Sequence, residues 1–150
     1  MAAYFDSSVL LSILFDEECY NKACAIWNGT DLRLSSFLTR IETNVSLRRY
    51  HKISKYRNDE VWLSKKTDEL YGMLEKIYYK PVDRTVEQVI VKNAGLAGCK
   101  SLDAIHLATF LYLKENSREQ YMALYSFDKN MISVAKQLGL DVNIDIEGDK

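Results

Sequence analysis

The feature that most restricts the fold of this 150-residue chain is an alternation of short apolar runs with helical segments. "AAYF", "LRLSS", "YYKPVD", "YMALYSF" and "DVNI" read as five strands. Helical segments fill the sequence between them. Neighbouring parallel strands can be joined only through a crossover, and a helix is the usual one. The alternation therefore specifies an α/β chain with a mainly parallel sheet of about five strands.

The helical segments carry their own start and stop signals. "SSVLLSILF" follows the first strand, with Ser7 or Ser8 placed to cap it. "EECYNKACAIWNG" has an apolar stripe of Ala23, Ile26 and Trp27 and closes at Gly29. In "FLTRIETNVSLRRYHK", Leu38, Ile41, Val45 and Arg49 fall near one face. In "NDEVWLSKKTDELYGMLEKI", Val61, Leu70, Met73, Leu74 and Ile77 form the apolar side, with Asn58 or Asp59 as cap. Pro81 places the third strand at a sheet edge or delays its start. "TVEQVIVKNAGL" is helical to near Gly95, and "KSLDAIHLATF" is a buried helix capped by Ser101. "KNMISVAKQLGL" is a helix stopped at Gly139, and "DIEGDK" is an acidic tail.

One proline and six glycines leave little room for long linkers, so a single domain is expected. The net charge is −1, so nucleic-acid binding has to come from a local patch. The cysteines, Cys19, Cys24 and Cys99, show no metal-binding spacing, and only His51 and His106 could join them in a zinc site. Free thiols fit a reducing, cytoplasmic setting. The first residues include Asp6 and lack a basic region, unlike a signal peptide. "VLLSILF" is too short to span a bilayer, so no membrane role is expected.

Four acids have unusual settings. Asp6 directly ends the buried strand "AAYF", and Asp128 directly ends the buried strand "YMALYSF". Glu42 and Asp103 lie on helices among apolar residues. Taken singly, each has an ordinary explanation. Asp6 and Asp128 can cap the next helix, Asp103 suits a first helical turn, and Glu42 can be solvated. Taken together, they suit a cleft outside the carboxyl ends of the strands. Gathered carboxylates repel unless a cation neutralises them or their pKa values rise. Hard cations such as Mg²⁺ or Mn²⁺ prefer oxygen ligands and can activate water against a phosphate.

These blocks resemble the PIN-domain endoribonucleases, and among them the VapC toxins of toxin–antitoxin pairs. "YFDSSVLLSILF" looks like the family's opening strand, first Asp and helix. "LSSFLTRIETNVSLRR" is similar to its Glu-bearing second block, and "KSLDAIHLAT" to its third. "LYSFDKNMISVAKQLGL" matches the closing block, in which Ser or Thr precedes an Asp by two residues. The resemblance covers almost the whole chain and implies a three-layer α/β/α sandwich. It places Asp6, Glu42, Asp103 and Asp128 at catalytic, metal-holding positions, with Asp6 and Asp103 as the main ligands of Mg²⁺ or Mn²⁺ and Ser126 in support. It implies hydrolysis of RNA, with transfer RNA as the target class, to 5′-phosphate and 3′-hydroxyl ends. It also implies a VapB-type antitoxin that covers the cleft, and a homodimer, for which "LYGML" and "FLYLKE" are candidate faces.

One stretch departs from the family's alanine- and leucine-rich pattern. "RRYHKISKYR" carries Arg48, Arg49, Lys52 and Lys55 beside Tyr50 and Tyr56. It reads as a solvated helix end, as an RNA contact in which bases stack on the tyrosines, or as part of an antitoxin grip. His106, one turn after Asp103, reads as a packed, hydrogen-bonded histidine before it reads as a base. Two rival functions stay open on the residues alone. One is a PIN-like binding module without catalysis. The other is a receiver-type phosphoacceptor domain, which should carry an acidic pair after strand one and a late lysine; only Asp6 stands at the first place, and Ser126 and Asp128 occupy the second.

Overall fold

A computed structural model describes residues 1–119 and 121–144. Four strands form one parallel sheet in the order β3-β2-β1-β4. They are β1 (Ala2–Phe5), β2 (Leu32–Ser36), β3 (Tyr78–Lys80) and β4 (Met122–Tyr125). The expected fifth strand, "DVNI", is reduced among the described residues to a single parallel bridge between Val142 and Leu124. The expected acidic tail, residues 145–150, lies outside the described residues.

Seven α-helices are described: α1 (Ser7–Leu14), α2 (Tyr20–Asn28), α3 (Leu38–Ile53), α4 (Glu60–Leu74), α5 (Arg84–Lys92), α6 (Ser101–Asn116) and α7 (Lys129–Gln137). A 3-10 turn, Ala94–Gly98, replaces the predicted end of the helix around Gly95. Alternation along the strands decides the layers. Ala3 and Phe5 of β1, with Ala123 and Tyr125 of β4, pack against residues of α1 to α4, including Leu10, Trp27, Leu47 and Leu70. Ala2, Tyr4, Met122 and Leu124 face the other way, onto Val86 of α5, Leu107 and Phe110 of α6 and Val134 of α7. Both faces of the sheet are covered, which gives the three-layer sandwich that the sequence implied.

Several local expectations hold. Asp59 caps α4, accepting from the Trp62 backbone N–H at 2.8 Å. β3 is an edge strand and ends one residue before Pro81, where the missing N–H removes no ladder bond. Gly139, at φ +71°, follows α7 in the left-handed region that glycine enters without strain.

The apolar faces of two helices differ from the expectation. α3 buries Leu38, Thr39, Thr43, Leu47 and His51, while Ile41 and Val45 stay exposed. The buried threonines are tolerated because their hydroxyls find acceptors. Thr43 Oγ1 donates to the Thr39 carbonyl at 2.7 Å, and Thr39 Oγ1 pairs with Ser35 Oγ at 2.7 Å. In α4, Leu70 and Leu74 are buried but Val61 is exposed, because the neighbouring Trp62 takes the inward role against Tyr50 and Tyr56.

Candidate active site at the carboxyl edge of the sheet

The chain runs outward from β1 through β2 to β3, then returns to place β4 on the other side of β1. Such a reversal opens a crevice outside the carboxyl ends of the two strands beside it. Asp6 leaves β1 at this crevice, and the turn from Ser126 to Asp128 leaves β4 beside it.

Asp6 is buried and fully engaged. One carboxylate oxygen accepts from the Ser8 backbone N–H at 3.1 Å and from the Ser8 hydroxyl at 2.5 Å. The other accepts from the Ser126 hydroxyl at 2.6 Å. Asp6 is thus the N-cap of α1, in place of the expected Ser7 or Ser8. An aspartate at this turn reaches the free N–H groups with an anion, which the helix dipole favours. Burial pushes its carboxyl above the usual carboxylate range, and Glu42 adds to the rise. His106, when protonated, and the bonds from Ser126 and Ser8 oppose it.

Asp128 also caps a helix, accepting from the Met131 backbone N–H at 2.9 Å at the start of α7. Its own backbone N–H donates to the Ser126 hydroxyl oxygen at 3.1 Å. Ser126 therefore ties Asp6 to the Asp128 turn. Asn143 holds the Ser126 backbone, accepting from its N–H at 2.9 Å and donating to its carbonyl at 2.7 Å.

Asp103 behaves differently. The N-cap of α6 is Lys100, which makes no side-chain cap bond, and Ser101 is the first helical residue rather than the cap. Asp103 caps nothing: among the described residues its carboxylate accepts no hydrogen bond. Partial burial pushes its pKa up first; the charges of Asp128, Asp6 and Glu42 push it further, and His106 opposes them. Glu42, half-buried on α3, has one carboxylate oxygen 2.5 Å from His106 Nε2. Asp103 thus lies within reach of the charges of Asp128, Asp6 and Glu42, and Asp6 within reach of that of Glu42.

Residues 3–137 match the PIN domain family. The chain belongs to the PIN domain family. No curated protein matches it. PIN domains are typically metal-dependent nucleases, so this PIN domain is in general terms a hydrolase, and the receiver-type reading falls away.

The residues fit a hard divalent cation by their chemistry. All four donors are carboxylates, two of them resist ionisation where they stand, and one has no hydrogen-bonding partner. As the side chains stand, however, no three His, Cys, Asp or Glu groups among the described residues are arranged to hold an ion. The donor chemistry is present without a closed ligand shell.

The basic stretch of the PIN domain lies at the end of α3 and just beyond. Arg48, Arg49, Lys52 and Lys55 are exposed and form no ion pair among the described residues. Arg49 follows Glu42 by seven residues, so it shares the same helix face about two turns away. The neighbouring tyrosines are not free platforms. Phe15, Tyr50, Trp62 and Tyr56 form a continuous pile, with ring centroids 4.4, 5.8 and 4.5 Å apart in that order. Lys55 Nζ sits 5.1 Å from the Tyr56 ring. These rings join the ends of α1 and α3 to the start of α4.

Sequence reasoning missed one direct partner of the acids, Ser8, and two residues that act through another side chain or backbone, Tyr4 through His106 and Asn143 through Ser126. Ser8 mirrors Ser126: each stands two residues from an aspartate at a strand end, a spacing that could have flagged it. Tyr4 gave no signal beyond an apolar strand. Asn143 gave none, because its role depends on a contact 17 residues back in the chain.

Proposed function

We propose that this PIN domain is an endoribonuclease dependent on Mg²⁺ or Mn²⁺, and that it is the toxin of a toxin–antitoxin pair acting on structured RNA such as transfer RNA. The observation that carries the reading is Asp103. A helix of otherwise good packing keeps a half-buried carboxylate at its first turn without a hydrogen bond and among like charges. A capping acid would accept a backbone N–H there; Asp103 accepts none, which leaves its oxygens available to a cation.

Asp6 and Asp103 would hold the ion, with Glu42 and Asp128 completing the set. When bound, such a cation neutralises phosphate charge and makes a water nucleophilic near neutral pH. The chain's own part is to fix the donors. Ser8 and Ser126 hold Asp6 in one orientation, Met131 N–H and Ser126 hold the Asp128 turn, and the α6 N-terminus favours Asp103 in its ionised form. Arg49, with Arg48, Lys52 and Lys55 beyond it, offers unpaired positive charge to a phosphate backbone leading away from the cleft.

A VapB-type antitoxin covering the cleft, a homodimer and a cytoplasmic location complete the proposal. Among the described residues no helix is long and apolar enough to cross a membrane. One observation favours a second reading, a PIN-like module without catalysis: the absence, among the described residues, of any three ligand groups arranged for a metal.

Incubation of the purified chain, freed of any bound partner, with a transfer-RNA pool tests the proposal. Cleavage is expected with Mn²⁺ or Mg²⁺ and none with chelator. Cleavage that persists in chelator overturns the metal requirement. RNA left intact by protein that binds no Mn²⁺ favours the inert module.

A further inference from the structure

Glu42 is held by a largely buried chain of hydrogen bonds that joins four elements, β2, β1, α6 and α3. The Ser36 backbone N–H, at the end of β2, donates to the Tyr4 hydroxyl at 3.1 Å. Tyr4 Oη and His106 Nδ1 are 2.7 Å apart. His106 Nε2 and Glu42 Oε1 are 2.5 Å apart. Tyr4 and His106 are both buried, whereas a fifth of the Glu42 side chain is exposed. The relay therefore starts in the core and ends at the cleft.

The chemistry gives the relay a direction. A backbone N–H can only donate, so the Tyr4 oxygen accepts from Ser36. With the Tyr4 hydroxyl hydrogen directed to His106 Nδ1, the tautomer that satisfies the rest of the relay is the one in which Nε2 carries the hydrogen that Glu42 accepts. In this polarity every donor meets an acceptor. Burial holds the Tyr4 phenol well above its ordinary pKa, so it stays a donor. The His106 and Tyr4 rings meet edge to face with centroids 6.0 Å apart, and Tyr4 meets Phe110 in the same way at 5.9 Å. The imidazole can hardly turn.

We infer that His106, oriented by Tyr4, is a positioning residue that fixes Glu42 for cation binding. Glutamate is a long side chain with several rotamers, and α3 alone does not select one. The imidazole holds Oε1 and leaves Oε2 without a hydrogen-bond partner among the described residues. The relay also ties the two ends of the β2–α3 junction together. Ser36 Oγ accepts from the Leu38 N–H at 3.1 Å at the start of α3, and Glu42 lies one turn further along. His106 thereby does for Glu42 what Ser8 and Ser126 do for Asp6. The inference rests on the cation-binding reading above.

A double-substitution cycle with Mn²⁺ as the probe tests it. His106→Leu is expected to weaken Mn²⁺ binding by roughly 10- to 100-fold, the usual effect of losing a group that orients a ligand. In a Glu42→Gln background the same change is expected to have less than about a twofold effect. His106→Gln, which keeps a donor near the Nε2 position, should recover part of the loss. An equal loss in both backgrounds, or no loss in the parent, overturns the inference, because a packing role would be additive. If His106→Leu does not fold, Tyr4→Phe takes its place; it keeps the ring, and a few-fold loss confined to the Glu42 background is expected. If the parent binds no Mn²⁺, the functional reading fails, and nitrogen NMR of the imidazole decides the positioning alone. A proton on Nε2 supports it, and a neutral ring protonated on Nδ1 overturns it.

Discussion

Asp103→Asn is expected to lower RNA cleavage by a factor on the order of 10³ or more while leaving the fold in place. The substitution keeps shape and removes one charge. No hydrogen bond is lost, because among the described residues the carboxylate accepts none. The metal-free variant should melt higher than the parent, by roughly 2–4 °C, the shift that about 1 kcal/mol gives in a chain of this size. Half-exposure screens the repulsion and keeps the gain small. The sign of the pH dependence is fixed. Asp6 and Asp103 have raised pKa values in the folded protein, so protons bind the folded state better. Their contribution to stability is fully present below the unfolded value of about 4 and is lost as pH rises through the raised values. Asp103→Asn removes its share of that loss. Thermal melts across pH, beside a cleavage assay, check both parts. A variant that cleaves as fast as the parent contradicts the site.

Asp6→Ala is expected to abolish cleavage as well, but with the opposite effect on stability. The carboxylate caps α1 and accepts three hydrogen bonds, from the Ser8 N–H, the Ser8 hydroxyl and the Ser126 hydroxyl. Removing it leaves two buried or half-buried hydroxyls short of an acceptor and α1 short of its cap. The expected destabilisation is about 2 kcal/mol, a melting temperature lower by roughly 4–8 °C. Relief of the buried charge offsets part of the loss. Equal melting temperatures for Asp6→Ala and Asp103→Asn would contradict the division of labour between an anchored and an unanchored ligand.

Much of this arrangement was legible before any coordinates. "AAYF" and "LRLSS" are the strands β1 and β2 residue for residue, because a run of four or five residues between turn signals has little room to shift. Ser126 bridges Asp6 and the Asp128 turn, and Asp103 stands near enough to Asp6, Glu42 and Asp128 to feel their charges. What remained hidden depended on which face packs. α3 buries the side that mixes Leu38 and Leu47 with Thr39 and Thr43 rather than the side with Ile41 and Val45, and Ser35 and the helix carbonyls satisfy the threonine hydroxyls. The exposed Ile41 and Val45 follow from that choice. The capping reading of Asp6 and Asp128 proved right, and it is compatible with the proposed role in the site, because a capping carboxylate can also serve a cation. Asp103 likewise lies in the first turn of α6, as expected, although it makes no cap bond.

Titration of the metal-free protein with Mn²⁺ near pH 7, followed by melting temperature, tests the central claim most directly. A ligand that binds only the folded state raises stability with the logarithm of its concentration. The parent is expected to melt progressively higher as Mn²⁺ is added, and Asp103→Asn to respond far less. A parent whose melting temperature does not move, or a rise of equal size in both proteins, would contradict a cation site built on Asp103.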